Sequence, residues 1–177
     1  MLTSGILFKS FKRRKNFKKF KIRKDLDKLI GNKNHVIESL GKNYKNSFSK
    51  NQLNKYKKSK NFRVIGMGGS VLGTQTIYNF LKNKIKKNFQ FIDNLQINQK
   101  KDKTKFVNIV VSKSGNTIET IVNSNILIKK KNKNIFITEN KKNYLYLLAE
   151  KLKAEIIHHN NFIGGRYSVL SEVGMLP

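Results

Sequence analysis

The stretch Phe106 to Thr120, FVNIVVSKSGNTIET, constrains the fold of this chain more than any other. It opens on an apolar, β-branched run, Val107, Ile109, Val110 and Val111, which is how a parallel strand buried on both faces reads. Small and polar residues follow, Ser112-Lys113-Ser114-Gly115-Asn116-Thr117. Ile118, Ile121, Val122, Ile126 and Leu127 then recur at helical spacing. A strand, a hydroxyl-rich turn and a helix together make a phosphate-binding geometry. The helix N-terminus presents unpaired N–H groups and a partial positive charge. Ser112, Ser114 and Thr117 would add hydroxyl donors, and Gly115 lets the turn close tightly. Taken alone, the turn reads equally as an ordinary helix cap, since Ser and Thr precede helices widely.

The same alternation extends on both sides. Phe62 to Ile65 reads as a strand, then Gly66-Met67-Gly68-Gly69-Ser70, then a helix through Val71, Leu72, Ile77, Phe80 and Leu81. Phe89 to Leu95 reads as a second strand, and Gln96 to Lys105 as a charged connection. Asn134 to Thr138 is a further strand, Tyr144 to Leu152 a helix and Ala154 to Ile157 another strand. Strands alternating with helices from residue 62 onward define an α/β fold, a parallel sheet flanked by helices. Ligands in such sheets sit at the carboxyl ends of the strands, where both the glycine-rich and the serine-rich loops fall.

Residues 1–60 form a basic, mainly helical lead-in. Met1 to Lys24 contains no acid and many bases, with Phe8, Phe11, Phe17 and Phe20 among them. That pattern fits a membrane-surface helix, a transit peptide or an RNA-binding arm. The irregular aromatic spacing favours a lysine-rich helix whose Phe residues pack on the domain. Leu26, Leu29 and Ile30 fit a helix that Gly31-Asn32 would end, and Asn43 to Lys60 reads as helix or linker.

The length of 177 residues suits one domain. The formal charge of +28 is almost entirely Lys, and the lysines travel with abundant Asn throughout. A chain-wide Lys/Asn bias points to A- and T-rich coding. A dedicated nucleic-acid surface would concentrate Arg and interleave aromatics. No specific nucleic-acid partner is therefore expected. With no Cys there is neither a disulfide framework nor a thiolate metal site. His35, His158 and His159 have no metal-binding spacing, and paired histidines beside a strand end are expected to face solvent. No apolar run approaches the ~20 residues of a membrane span, so no membrane partner is expected.

Two glycine loops complete the set. Gly66-Met67-Gly68-Gly69-Ser70 departs from a dinucleotide fingerprint, because Val71 stands where its third glycine would be. Asp93 could mimic the ribose-binding acid of that fingerprint, which keeps nicotinamide binding as a distant alternative. Adjacent glycines before Ser70 instead suggest a backbone nest for a small anion. Gly164-Gly165-Arg166 lets a loop come close to its target, and a planar, bidentate Arg suits a fixed oxyanion better than Lys does.

Together GMGGSVLGT at 66–74, SKSGNTIET at 112–120 and GGRYSVLSEVGMLP at 164–177 resemble the glucose-6-phosphate isomerase family, in order and in rough spacing. The resemblance covers about residues 62–177. It implies a sugar-isomerase (SIS) fold, a flavodoxin-like three-layer arrangement. It implies a cytoplasmic enzyme of glycolysis and gluconeogenesis that interconverts glucose 6-phosphate and fructose 6-phosphate through a cis-enediol. In that reading Ser112, Ser114 and Thr117 hold the phosphate beside the Lys113 N–H, and Gly69 and Ser70 lie along the sugar. Gly165 and the catalytic Arg166 face the reacting carbons, where Arg166 stabilises the charge that develops as a proton leaves C2. No metal or redox cofactor is required, and family members are usually homodimers.

The departures from the family set further expectations. Asn116 stands where the family usually has Thr, which should leave phosphate binding weakened or unchanged. Family members are more than twice as long. The carboxylate base, a ring-opening His and a C-terminal Lys belong to a second SIS domain, absent here, so residues 61–177 read as an incomplete first SIS domain. Neither Glu119 nor Glu172 matches the family's base, nor His158 or His159 its histidine. Turnover by this chain alone is expected to be poor or nil, and an exposed sheet edge to promote aggregation. Phe162, Val169, Leu170, Val173, Met175 and Leu176 are the side chains expected to lack full partners. Two rivals remain: a sugar-phosphate-binding SIS module without catalysis, and a polyanion or membrane binder acting through residues 1–60.

Overall fold

The computed structural model describes residues 19–32, 34–95 and 104–177. The aromatic residues Phe8, Phe11 and Phe17, the Phe20 side chain and most of the charged connection at 96–105 lie outside the described residues. The chain divides into two units, 1–33 and 34–177. The first contains helix α1 (Lys19–Gly31), which spans Leu26, Leu29 and Ile30 and ends at the glycine, as the sequence indicated.

The second unit is built on a five-stranded sheet of β1 (Asn61–Gly66), β2 (Asn88–Ile92), β3 (Val107–Val111), β4 (Asn134–Glu139) and β5 (Glu155–His159). Its order is β2-β1-β3-β4-β5, and every neighbouring pair is parallel. β3 is central, and all its residues are buried; its apolar run is interrupted by Asn108 alone, whose Nδ2 donates to Asn134 Oδ1 at 2.8 Å. Successive strand residues point to opposite faces. Val64, Ile109 and Ile137 therefore enter one core layer, while Ile65, Val110 and Phe136 enter the other. Each fully buried side chain of this kind contributes about 1.5–3 kcal/mol of burial free energy.

Helices cover both layers. The face carrying Val64 packs against Val71 of α4 (Gly69–Leu81) and Val173 of α7 (Glu172–Met175). The opposite face packs against Ile121 and Leu127 of α5 (Ile118–Leu127), with Leu145 and Ala149 of α6 (Tyr144–Leu152). Two short helices, α2 (His35–Ser39) and α3 (Lys50–Asn54), precede the sheet. Ser49 and Gln52 form a capping box at the start of α3, each side chain bonding the other's backbone N–H. Around α3, Phe48 and Tyr56 pack on the core. Tyr56 Oη donates to Glu155 Oε2 at 2.6 Å. The stretch 43–60, read as helix or linker, is thus tied to edge strand β5.

Three details differ from the sequence reading. β2 stops at Ile92, so Asp93 to Leu95 lie beyond the strand. β5 runs on through His158 and His159, because the strand's inward face continues past Ile157. His158 is exposed as expected, but His159 is buried at 2% exposure, since its position alternates inward with Ile157. Among the side chains expected to lack partners, Phe162, Leu170 and Met175 are exposed whereas Val173 is buried against the core.

Candidate phosphate-binding site

The strand order reverses direction between β1 and β3, so the loops leaving those strands open side by side at the carboxyl end of the sheet. A crevice at such a switch point is where open parallel sheets bind ligands. Here it is a cleft of about 230 Å³ lined by Ser70, Ser112, Lys113, Ser114, Thr117 and Glu139.

The 112–117 loop is fixed from within and from behind. Ser112 Oγ lies 3.0 Å from Thr117 Oγ1 and accepts the Gly115 N–H at 3.2 Å. Ser114 Oγ accepts the Asn116 N–H at 3.3 Å. Gly115 has φ 65°, and a side chain there would run into Asn143. Behind the loop, Lys113 O accepts from Thr138 Oγ1 at 3.3 Å and from the Glu139 N–H at 3.1 Å. Asn143 Oδ1 caps α6 by accepting the Tyr146 N–H, while its Nδ2 donates to Thr138 Oγ1 at 3.0 Å. The hydroxyls are thus pre-positioned by β4 and α6. Thr117 stands at the N-cap of α5 without a side-chain capping bond. The first-turn N–H groups of that helix therefore face the cleft end without a side-chain acceptor.

Asn116 has a job apart from the ligand. Its Oδ1 accepts the Tyr144 N–H at 3.1 Å, at the start of α6. Of the glycines before Ser70, Gly68 stands in open space with φ 53°, while Gly69 is packed against another loop. A Cβ on Gly69 would lie 2.7 Å from Gly165 O and 2.9 Å from Arg166 N. The first loop and the Gly165-Arg166 segment are therefore packed backbone to backbone, and Ser70 carries that junction into the cleft. Gly165 opens the 3-10 turn η1 (Gly165–Leu170), whose Ser168 hydroxyl donates to Gly165 O at 2.7 Å. The Arg166 side chain is exposed and lies outside the cleft lining.

Two features escaped the sequence reading. Glu139 lines the cleft, with Lys141 Nζ 3.8 Å from its carboxylate. Its signal was its place at the end of β4, the strand beside β3. The second is a buried polar cluster around Glu172, which is 2% exposed. Tyr44 Oη donates to Glu172 at 3.2 Å, the Ser47 N–H donates at 3.1 Å, and His159 Nδ1 lies 3.4 Å away. Burial alone would raise the Glu172 pKa, but His159, the backbone donors and Tyr44 outweigh it and hold the carboxyl below its ordinary value. Burial, together with the Glu172 charge, pushes Tyr44 up to about 12. Glu172 is thereby committed to the fold. Glu119 sits in the first turn of α5, and Asp93 follows the edge strand β2.

The parallel sheet in this order, flanked by helices and with a hydroxyl-lined cleft at its switch point, defines an open-sheet α/β protein with a ligand site at the carboxyl ends of its strands. The chain belongs to the phosphoglucose isomerase family, whose model matches residues 14–177. It is 38% identical over 141 residues to the glucose-6-phosphate isomerase of Methanocaldococcus jannaschii, covering 71% of this chain and 34% of that protein. It is 38% identical over 141 residues to the enzyme of the same name from Borreliella afzelii, covering 68% of this chain and 26% of the relative. The chain thus spans about a quarter to a third of the length of these relatives. Among solved structures, a hypothetical protein of Thermus thermophilus shares the fold, with TM-score 0.58 and 24% identity over 71% of this chain and 35% of that one.

Proposed function

We propose that the cleft binds the phosphate of a hexose 6-phosphate and that the reaction served is the interconversion of glucose 6-phosphate and fructose 6-phosphate. The observation that carries this reading is the braced hydroxyl cradle of Ser112, Ser114 and Thr117 at the switch point, with Ser70 opposite. Hydroxyl and backbone N–H donors recognise a phosphate through charge-assisted hydrogen bonds, and the N-terminus of α5 adds its dipole. Lys113 supplies a loop N–H and a nearby cation.

The sugar would extend from the phosphate past Ser70 toward Gly69, Gly165 and Arg166. Aldose–ketose isomerisation through a cis-enediol removes a proton from C2 and returns it to C1, while negative charge develops on the adjoining oxygens. Arg166 would stabilise that charge as a planar, permanently charged donor. A general base must also stand within reach of C2. Glu172 is occupied by three partners, and Glu139, the carboxylate among the residues lining the cleft, lies at the phosphate end beside Lys141. We therefore expect this chain alone to bind ligand with little or no turnover, and no step needs a metal or redox cofactor. The working form is read as a cytoplasmic homodimer.

Calorimetric titration with glucose 6-phosphate and with glucose tests the reading. The phosphorylated sugar should bind and the free sugar should not, and Ser112→Ala with Thr117→Ala should weaken binding at least roughly tenfold. Equal binding of both sugars, or indifference to the two substitutions, would overturn it.

A further inference from the structure

The Arg166-bearing segment leaves β5 at His159 and returns to the core at Glu172. Those two residues meet at its base: His159 Nδ1 is 3.4 Å from Glu172 Oε2, with side chains 1% and 2% exposed. On the ring's other side, His159 Nε2 is 3.0 Å from Ile163 O, an acceptor inside the same segment. Both ring nitrogens thus face oxygen acceptors in a site closed to water. A neutral imidazole has one N–H and one lone pair, so either tautomer would set a lone pair against an oxygen. The doubly protonated ring donates to the Ile163 carbonyl on one side and, on the other, sets its charge at ion-pair distance from the carboxylate, where Nδ1 makes no hydrogen bond. The carboxylate is in turn held by the Tyr44 hydroxyl, the Ser47 N–H and its own backbone N–H.

We propose that His159 and Glu172 are positioning residues for Arg166, a buried imidazolium–carboxylate pair that clasps the base of its loop. Hydrogen bonding to Ile163 O fixes the descending limb, and charge attraction between the ring and Glu172, at ion-pair distance, holds the returning limb. Between them the Gly165-Arg166 peptide is set against Gly69, next to Ser70. A buried pair of this kind brings little net stability but enforces one geometry. The effect on ligand rests on the hexose-phosphate reading of the cleft; the charge state of the pair does not. The pair acts on the sugar end of the cleft through Arg166, whereas the 112–117 cradle is braced separately by β4 and α6.

The test uses the full chain. Long-range proton–nitrogen NMR at about pH 6.5, where an ordinary histidine is half protonated, reads each ring. His159, assigned by its loss in His159→Gln, should show two slowly exchanging ring N–H groups. A neutral, single-tautomer His159 overturns the proposal, and this reading needs no ligand. Glu172→Gln, which removes the charge beneath the Arg166 loop, should then weaken glucose 6-phosphate binding roughly tenfold, while inorganic phosphate binds as before. Equal weakening of both ligands would mean a general loss of fold and also overturns the proposal. Should the unaltered chain bind neither ligand, the hexose-phosphate reading falls, and the ring signature of His159 still decides whether the clasp exists.

Discussion

Gly69 and Gly165 meet backbone to backbone: a Cβ on Gly69 would lie 2.6 Å from the Gly165 carbonyl carbon. This joins two loops that are almost a hundred positions apart in sequence. It places the Arg166 peptide beside Ser70, and Ser70 beside the phosphate cradle. Gly69→Ala should force the loops apart and cost about 1–3 kcal/mol, the usual range for an overpacked contact. Urea unfolding reads the stability loss. Calorimetry should show glucose 6-phosphate weakened more than inorganic phosphate, because the sugar end of the cleft is the part displaced.

Gly115 answers to a different constraint. Its φ of 65° is left-handed, and a side chain would strike Asn143. Asn143 caps α6, so the clash would damage loop and helix together. Gly115→Ala should cost at least ~1–3 kcal/mol from strained backbone alone and abolish phosphate binding. Thermal melting and a phosphate titration measure the two effects.

Asn116→Ala separates stability from binding. Asn116 bonds the Tyr144 N–H, and its side chain is absent from the cleft lining. Losing a capping bond of this kind costs about 1 kcal/mol. The denaturation midpoint should fall accordingly while glucose 6-phosphate affinity stays unchanged.

The five strands and helices α4, α5 and α6 could be read from sequence because each carries its own period, whereas the short turns at Gly165–Leu170 and Glu172–Met175 carry none. β3 is a β-branched run broken only by Asn108, and α6 repeats Leu145, Leu148, Ala149 and Leu152 on one face. The 112–117 loop was legible for the same local reason, since hydroxyls, glycine and helix start are contiguous. What escaped depends on distant pairing. Tyr44 reaches Glu172 across a separation of 128 residues, and nothing near Tyr44 marks it as a buried partner. His159 looked like half of an exposed histidine pair until the extra length of β5 turned it inward. Glu139 enters the cleft only because β4 lies next to β3, which the sheet order decides.

Stability should respond to acid through Glu172. Its carboxyl is held below the ordinary value of 4.5 in the folded chain. A group lowered on folding contributes stability above that ordinary value and loses it as pH falls through its folded one. The melting temperature should therefore drop as the solution is acidified below about 4.5, and Glu172→Gln should flatten that drop. The test is a series of thermal melts from neutral to acidic pH. An identical acid slope in both chains would remove Glu172 from the account.

The most direct test of the central claim is a crystal structure of the chain with glucose 6-phosphate. The account predicts the phosphate within hydrogen-bonding distance of the Ser112, Ser114 and Thr117 hydroxyls, with the sugar directed past Ser70 toward Arg166. A phosphate held only by surface lysines, with the cleft between β1 and β3 empty, would contradict it.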